Sequence, residues 1–123
     1  MAGESILIVD DNMVNLELAE YTLERAGYTV RMARDAAEAQ KIIESFRPAL
    51  ILMDVQLPGM SGLELTRLIK ADSQLHDIIV VALTSYAMRG DEQKALDSGC
   101  DGYITKPIET RSFADDIAGY LRD

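Results

Sequence analysis

The segment Leu50-Ile51-Leu52-Met53-Asp54 places four consecutive apolar residues directly before an acidic one. A second apolar run, Ile78 to Leu83, has the same continuous character. Runs of this length are typical of strands that are buried on both faces of a parallel sheet. Both are far shorter than the roughly 20 residues that a membrane-spanning helix requires. We therefore predict strands at Leu50 to Met53 and at Ile78 to Leu83, and no transmembrane segment.

Three further strands are predicted along the chain, at Ile6 to Val9, Thr29 to Met32 and Gly102 to Thr105. Between the strands, apolar residues recur at the spacings of three and four that are typical of amphipathic helices. The predicted stripes are Leu16, Ala19, Leu23 and Ala26; Ala36, Ala39, Ile43 and Phe46; Leu65, Leu68 and Ile69; Ala95 and Leu96; and Phe113, Ile117, Tyr120 and Leu121. Gly27 is expected to end the first helix in a left-handed conformation. The fourth helix, from about Gly90 to Ser98, has the thinnest stripe and is expected to be the least securely packed.

This regular alternation of strands and helices is typical of an α/β fold with a doubly wound, five-stranded parallel sheet, five helices on its two faces and right-handed crossovers. The chain has 123 residues, which suits one domain at roughly 150 residues per domain. We therefore expect residues 1–123 to form a single domain. Ligands of such sheets bind beyond the carboxyl ends of the strands, where the strand order reverses.

The charge balance disfavours several classes of partner. The 12 Lys and Arg residues against 21 Asp and Glu residues give a formal charge of −9. Such a surface repels phosphate backbones and anionic lipids, so we expect no direct binding to nucleic acid or membranes. Cys100 is the single cysteine and cannot form an intramolecular disulfide, and Met1 is not followed by a basic stretch and an apolar signal segment. The chain is therefore predicted to be cytoplasmic.

Polar residues follow the predicted strands at the edge where ligands are expected. They are Asp10-Asp11-Asn12 after the first strand, Asp54 after the third, Thr84-Ser85 after the fourth and Lys106-Pro107 after the fifth. Each of these has an ordinary explanation when it is considered alone. Asp10-Asp11-Asn12 would be a helix N-cap, Asp54 would be a turn residue, and Lys106 would be a solvated lysine. If the first and third strands are neighbours, however, three carboxylates lie close together. At about 5 Å, two of them repel by roughly 3 kcal/mol at an effective dielectric of 20.

A bound cation would offset that repulsion. An all-oxygen site with room for water suits Mg²⁺, whereas the sequence has no His and Cys cluster of the kind that binds zinc. Asp54 is then the candidate nucleophile, because a carboxylate can accept a phosphoryl group whose charge Mg²⁺ and Lys106 neutralise. Thr84 is either an ordinary strand residue or a hydroxyl donor to a phosphoryl oxygen. His76 is expected at the surface and Cys100 in the core.

These residues resemble the receiver domain of two-component response regulators, and the resemblance covers the whole chain. It rests on Asp10-Asp11, on Asp54 within the segment Asp54 to Gly62, on Thr84-Ser85, and on Lys106-Pro107 with Tyr103 three positions before the lysine. It implies a flavodoxin-like sheet of order 2-1-3-4-5. It also implies that Asp54 accepts a phosphoryl group from a histidine kinase or phosphotransfer protein, and that the chain is no enzyme beyond its own phosphorylation and dephosphorylation.

The same resemblance implies the ligands of the metal. Asp11, Asp54 and the main-chain carbonyl of Gln56 would bind Mg²⁺. Asp10 would act through a metal-bound water.

It further implies that Lys106 contacts the phosphoryl group and that Thr84 and Tyr103 form a switch pair. The alternative for Tyr103 is a permanently buried ring that fills core volume. Output would pass through the fourth helix, the fifth strand and the last helix.

Within the family, the chain resembles stand-alone regulators of the DivK kind and the receivers of hybrid histidine kinases. This finer resemblance rests on Asp11-Asn12, on Tyr86 to Asp91, and on the lack of residues beyond Asp123 that could form a DNA-binding effector. We therefore expect no effector domain, output through contacts with a downstream protein, and a monomer or weak dimer.

Three alternatives stay open. A flavin-binding electron carrier shares such a sheet but needs a Ser-, Thr- and Gly-rich phosphate loop where Asp10 and Asp11 stand. A phosphatase or phosphotransferase acting on external substrates would need a cap or insertion, for which the short connections leave little room. The chain could also be an isolated receiver domain of a hybrid histidine kinase, against which the start at Met1 argues.

Overall fold

The computed structural model of the chain describes residues 3–57, 59–84, 91–105, 108 and 110–121. Strands and helices alternate along these residues. The strands are β1 (Ser5–Val9), β2 (Thr29–Ala33), β3 (Leu50–Asp54), β4 (Ile79–Thr84) and β5 (Gly102–Thr105). The helices are α1 (Met13–Arg25), α2 (Ala36–Ser45), α3 (Gly62–Ala71), α4 (Asp91–Asp97) and α5 (Thr110–Leu121).

The strands are parallel and form one sheet in the order β2-β1-β3-β4-β5. This confirms the predicted doubly wound fold, and each predicted strand agrees with the observed one to within one residue at either end. The prediction that the fourth strand begins at Ile78 is wrong, because the amide of Ile78 donates to the carbonyl of Leu75 (3.0 Å) in the preceding turn. Asp54 and Thr84 are the last residues of their strands rather than the first residues after them.

The pleat of the central strand divides the core into two layers. β3 is buried at every position, as its continuous apolar sequence predicts. Ile51 and Met53 pack with α2 and α3 on one face, and Leu50 and Leu52 pack with α1 and α5 on the other. This alternation follows from the two-residue period of a strand. Both faces of the sheet are therefore covered by helices.

The apolar stripes of the helices need correction at their ends. The stripe prediction for Ala26 is wrong, because α1 ends at Arg25 and Ala26 is its exposed C-cap. Phe46 likewise follows the last turn of α2 and is half-buried. Gly27 has a φ of 100°, which confirms the left-handed conformation predicted for it.

Two predicted stripe residues lie at the surface instead of in the core. Leu68 is 49% exposed and Leu96 is 44% exposed, because Ile69 and Ala95 occupy the positions that face the sheet. Among the α4 residues with described side chains, Ala95 alone is buried, which agrees with the thin stripe predicted for this helix. None of the helices described here is both long and apolar enough to span a bilayer.

His76 and Cys100 lie where the sequence predicts them. His76 is exposed in the turn before β4, with its Nδ1 3.1 Å from Asp77 Oδ1. Cys100 is buried, and its Sγ lies 3.8 Å from the hydroxyl of Thr66. Burial raises the pKa of the Cys100 thiol. The thiol therefore stays protonated at neutral pH, as expected of a core cysteine rather than a nucleophile.

A lysine joins three segments at the amino-terminal edge of the sheet. Lys70 of α3 donates to the carbonyl of Ile78 and to the carboxylate of Asp101, both at 2.8 Å. Asp101, which precedes β5, also accepts from the amide of Val80 at 2.8 Å. The polar groups at this edge therefore pair with one another, and their hydrogen bonds join α3 to the starts of β4 and β5.

Gly102 leaves room for an aromatic ring, so alanine should have opposite effects at two glycines. A β-carbon at Gly102 would collide with the ring of Tyr120, whose hydroxyl donates to the carbonyl of Tyr103 at 3.3 Å. We expect Gly102→Ala to lower the free energy of unfolding by about 1–3 kcal/mol. Gly119→Ala, in α5 with open space around it, should raise it by about 0.5–1 kcal/mol. Urea denaturation measures both changes, and an unaffected Gly102→Ala variant would contradict this packing.

Candidate functional site

Three carboxylates meet at the carboxyl-terminal edge of the sheet. Asp10 directly follows β1 and Asp54 ends β3, and β1 and β3 are paired with Val9 opposite Met53. Asp10, Asp11 and Asp54 each offer one oxygen, and these oxygens all lie within 4.8 Å of one another. Asp10 and Asp54 are buried, with 0% and 2% exposure, whereas Asp11 is exposed. The cluster therefore has a buried floor and an open side.

Local hydrogen bonds hold Asp10 in the floor of this cluster. Its carboxylate accepts from the amide of Asn12 (2.9 Å) and from the side chain of Asn15 (3.4 Å). Its own amide donates to the carbonyl of Ala33 at 3.0 Å, which ties the loop to β2. The N-cap of α1 is Asn12, whose side chain accepts from the amide of Asn15 at 3.1 Å. The predicted N-cap is therefore Asn12. The adjacent Asp10 and Asp11 belong to the carboxylate cluster instead.

The turn after β3 orients Asp54. The Oδ1 atom of Asp54 accepts from the amide of Gln56 at 3.0 Å, so the expected turn function is present as well. The amide of Val55 donates to the carbonyl of Leu83 at 3.2 Å. A β-carbon at Gly62 would collide with the carbonyl of Asp54, so only glycine allows the start of α3 to approach this strand so closely.

Thr84 contributes a buried hydroxyl at the same edge. It ends β4, the neighbour of β3, and is 1% exposed. Its Oγ1 has no hydrogen-bond partner among the described residues. A buried polar atom without a partner costs about 1–3 kcal/mol. Such a hydroxyl is suited to donate to an oxygen that arrives with a ligand.

Tyr103 lies on β5, opposite Ala82 of β4. Its side chain is 37% exposed, so the alternative of a permanently buried tyrosine is wrong. Its main-chain carbonyl accepts the hydroxyl of Tyr120 of α5. The side chain of Tyr103 is therefore at the surface while its backbone is held by the last helix.

Several predicted site residues lie outside the described residues. They are Lys106-Pro107, Ser85, the segment from Tyr86 to Gly90, and Pro58. The charge expected from Lys106 therefore stays a prediction.

The chemistry of the cluster is that of an anionic oxygen site. Two unit charges about 5 Å apart repel by roughly 3 kcal/mol at an effective dielectric of 20. Carboxylate and carbonyl oxygens are the ligands that Mg²⁺ prefers in proteins. The three oxygens within 4.8 Å of one another therefore fit a magnesium ion.

Sequence reasoning assigned no function to two residues that shape the site, and it named Gly62 only as the last residue of the segment Asp54 to Gly62. Asn15, in the first turn of α1, donates a hydrogen bond to the carboxylate of Asp10. Gly62 has no β-carbon and so allows the start of α3 to lie against Asp54. The signal for Gly62 was its position directly after Ser61, which begins a capping box with Glu64. Asn15 gave no signal, because polar residues in a first helical turn most often face solvent.

Known proteins are similar to this chain over nearly its full length. The response regulator receiver domain family matches residues 6–118. The polar-differentiation response regulator DivK of Brucella anthropi is 43% identical over 120 residues, which cover 98% of this chain and 98% of that protein.

Solved structures have the same fold. The receiver domain of a sensor histidine kinase from Pseudomonas aeruginosa, with a magnesium ion coordinated in its active site cleft, is 33% identical with a TM-score of 0.89; the match covers 99% of this chain and 100% of that chain. A CheY-like response regulator receiver domain protein from Methanospirillum hungatei is 34% identical with a TM-score of 0.87, over 98% of this chain and 95% of that chain.

The crowding of the carboxylates predicts that removing one charge stabilises the metal-free protein. We expect Asp11→Asn to raise the melting temperature in EDTA by about 2–6 °C, because it relieves repulsion on two buried neighbours. Asp115→Asn, at an exposed position of α5, removes the same charge away from the cluster and should change the melting temperature little. Equal increases in both variants, measured by circular dichroism, would assign the effect to net charge and not to crowding.

Proposed function

The chain belongs to the response regulator receiver domain family, and we propose that it is a phosphorylation-dependent switch in which Asp54 is the phosphoacceptor. It is a single receiver domain of a response regulator, similar to DivK. The observation that carries the proposal is the burial of Asp54 against two further carboxylates. Like charges this close oppose folding, and such costs are concentrated at functional sites.

The proposed reaction joins a carboxylate oxygen of Asp54 to the phosphorus of a donor. As that bond forms, the bond from phosphorus to the leaving atom breaks, and the leaving atom keeps the electron pair. For a phosphohistidine donor, the leaving atom is an imidazole nitrogen. The amide of Gln56 holds the Asp54 carboxylate through Oδ1. The exposed side of the cluster at Asp11 is the side from which the donor would enter.

Mg²⁺ is the proposed cofactor. Asp11, Asp54 and the main-chain carbonyl of Gln56 would hold it, and Asp10 would act through a water. When bound, the ion supplies positive charge that offsets the carboxylates and the incoming phosphoryl group. The all-oxygen donor set supports this assignment.

Thr84 and Tyr103 are proposed as the switch pair. A phosphoryl oxygen on Asp54 offers the buried Thr84 hydroxyl an acceptor, so phosphorylation favours a conformation in which that bond forms. Movement of Thr84 at the end of β4 would leave space for the exposed ring of Tyr103 to turn inward. Lys106 is proposed to contact the phosphoryl group as a compact positive charge.

The proposed partners are proteins. A histidine kinase or phosphotransfer protein would supply the phosphoryl group, and a downstream protein would bind the surface of α4, β5 and α5. This makes the chain a switch rather than an enzyme with an external substrate. We propose that residues 1–123 form one receiver domain that acts in the cytoplasm as a monomer or weak dimer. A receiver of a hybrid histidine kinase would use the same site, whereas family membership distinguishes the chain from flavin-binding carriers.

Acetyl phosphate with Mg²⁺ is expected to add one phosphoryl group to the chain, measured by intact mass spectrometry. Asp54→Asn should abolish the addition because it removes the nucleophile, and EDTA should abolish it because the carboxylates then repel the anionic donor. Asp97→Asn, at an exposed position of α4, is the matched control and should be phosphorylated like the parent chain. Phosphorylation that persists in Asp54→Asn, or in EDTA, would refute the proposed site.

Two buried threonines allow a matched test of the switch. Thr84→Val should raise the free energy of unfolding by about 1 kcal/mol, because it removes a buried hydroxyl that has no partner among the residues the structure describes. It should also weaken the change in amide chemical shifts caused by beryllofluoride, a mimic of the phosphoryl group. Thr66→Val is the control, since the Thr66 hydroxyl is buried but donates to the carbonyl of Gly62 at 2.8 Å. It should lose stability and keep the response; a full response in Thr84→Val would exclude Thr84 from the switch.

A further inference from the structure

A groove of about 640 Å³ lies between the carboxyl-terminal halves of α2 and α3. We call it the α2–α3 groove; Ile43 and Glu44 of α2, and Leu65, Leu68 and Ile69 of α3 line it, with Asp72 at its end. Both helices pack on the same face of the sheet. They make few direct contacts with each other, whereas α1 and α5 on the opposite face do touch.

The floor of the α2–α3 groove is apolar. Ile43, Leu65 and Ile69 form it and are buried against the sheet. Leu68 stands above this floor with 49% of its surface exposed. A large apolar side chain beside an apolar floor is a surface that gains free energy when a second apolar surface covers it.

The rim of the groove carries acidic charge. Glu44 and Asp72 are both exposed on it. Arg47 also lines the groove and is exposed, with its Nη2 donating to the carbonyl of Gln74 at 3.0 Å. The lining therefore has two acids, Glu44 and Asp72, against one base, and its charge is negative overall.

We propose that the α2–α3 groove binds a basic amphipathic helix of a partner protein. Its apolar residues would cover Leu68 and the floor, and its Lys or Arg residues would face Glu44 and Asp72. A second copy of this chain fits less well, because each copy carries a formal charge of −9 and would bring its own acids to the rim. Anionic lipid headgroups and nucleic acid meet the same repulsion.

The groove is separate from the carboxylate cluster. α3 begins beside Asp54 and runs back toward the amino-terminal edge of the sheet. At that edge, Lys70 near the end of α3 pairs with Asp101. The groove lies along this returning part of α3. Binding there leaves Asp11 and Asp54 uncovered, so this proposal stands or falls independently of phosphorylation at Asp54.

The test uses the full chain and a fluorescent peptide of about 18 residues, built from leucine and lysine with leucines on one helical face. Fluorescence anisotropy should show saturable binding, and amide shifts should change at Ile43, Leu65 and Leu75. Leu68→Ser should weaken the affinity about tenfold or more, because it removes the exposed apolar contact. Tyr21→Ser, at an exposed apolar residue of α1, is the control and should bind as the parent chain does.

Two double variants distinguish peptide binding in the groove from non-specific electrostatic attraction to the acidic chain. Glu44→Gln with Asp72→Asn should weaken binding, whereas Glu17→Gln with Glu24→Gln removes the same charge from exposed positions of α1 and should not. Equal losses in both pairs, shifts spread over the whole surface, or no effect of Leu68→Ser would overturn the proposal. A concentration-dependent dimer that Leu68→Ser abolishes, with no peptide binding, would also overturn it in favour of a second copy.

Discussion

The candidate site depends on the parallel pairing of β1 with β3. Their register sets Val9 opposite Met53, so the acids that follow these residues emerge side by side at one edge of the sheet. Parallel neighbours cannot be joined by a tight turn and need a long crossover. This crossover consists of α1, β2 and α2, so the relative position of the two acids depends on the folding of half the domain.

The polar groups at the two edges of the sheet differ in how they are paired. At the amino-terminal edge, Lys70 and Asp101 satisfy each other and the neighbouring main chain. At the carboxyl-terminal edge, Asp10 and Asp54 are buried beside a third carboxylate, and Thr84 keeps a buried hydroxyl without a partner among the described residues. The first edge stabilises the fold, whereas the second gathers three acids and a buried hydroxyl at a position that a cation and a phosphoryl group would suit.

The helices on the two faces of the sheet also differ in how closely they pack against each other. α1 and α5 contact each other, and Tyr120 fits over Gly102 to join α5 to β5. On the other face, α2 and α3 pack on the sheet while a groove stays open between their ends. The groove lies apart from the edge that carries the acids. The proposed phosphorylation site and the proposed binding surface could therefore both be accessible at the same time.

The sequence by itself determined the strands and most of the core, because continuous apolar runs such as Leu50 to Met53 are compatible only with a buried element. It also placed Asp54 at the end of such a run, but the resemblance to receiver domains supplied the strand order that brings Asp10 beside it. Only the tertiary structure decided that Leu68 is exposed and that Tyr103 lies at the surface in this conformation. Periodicity tells which residues share a face of a helix or strand, whereas the exposure of that face depends on how closely its neighbours pack.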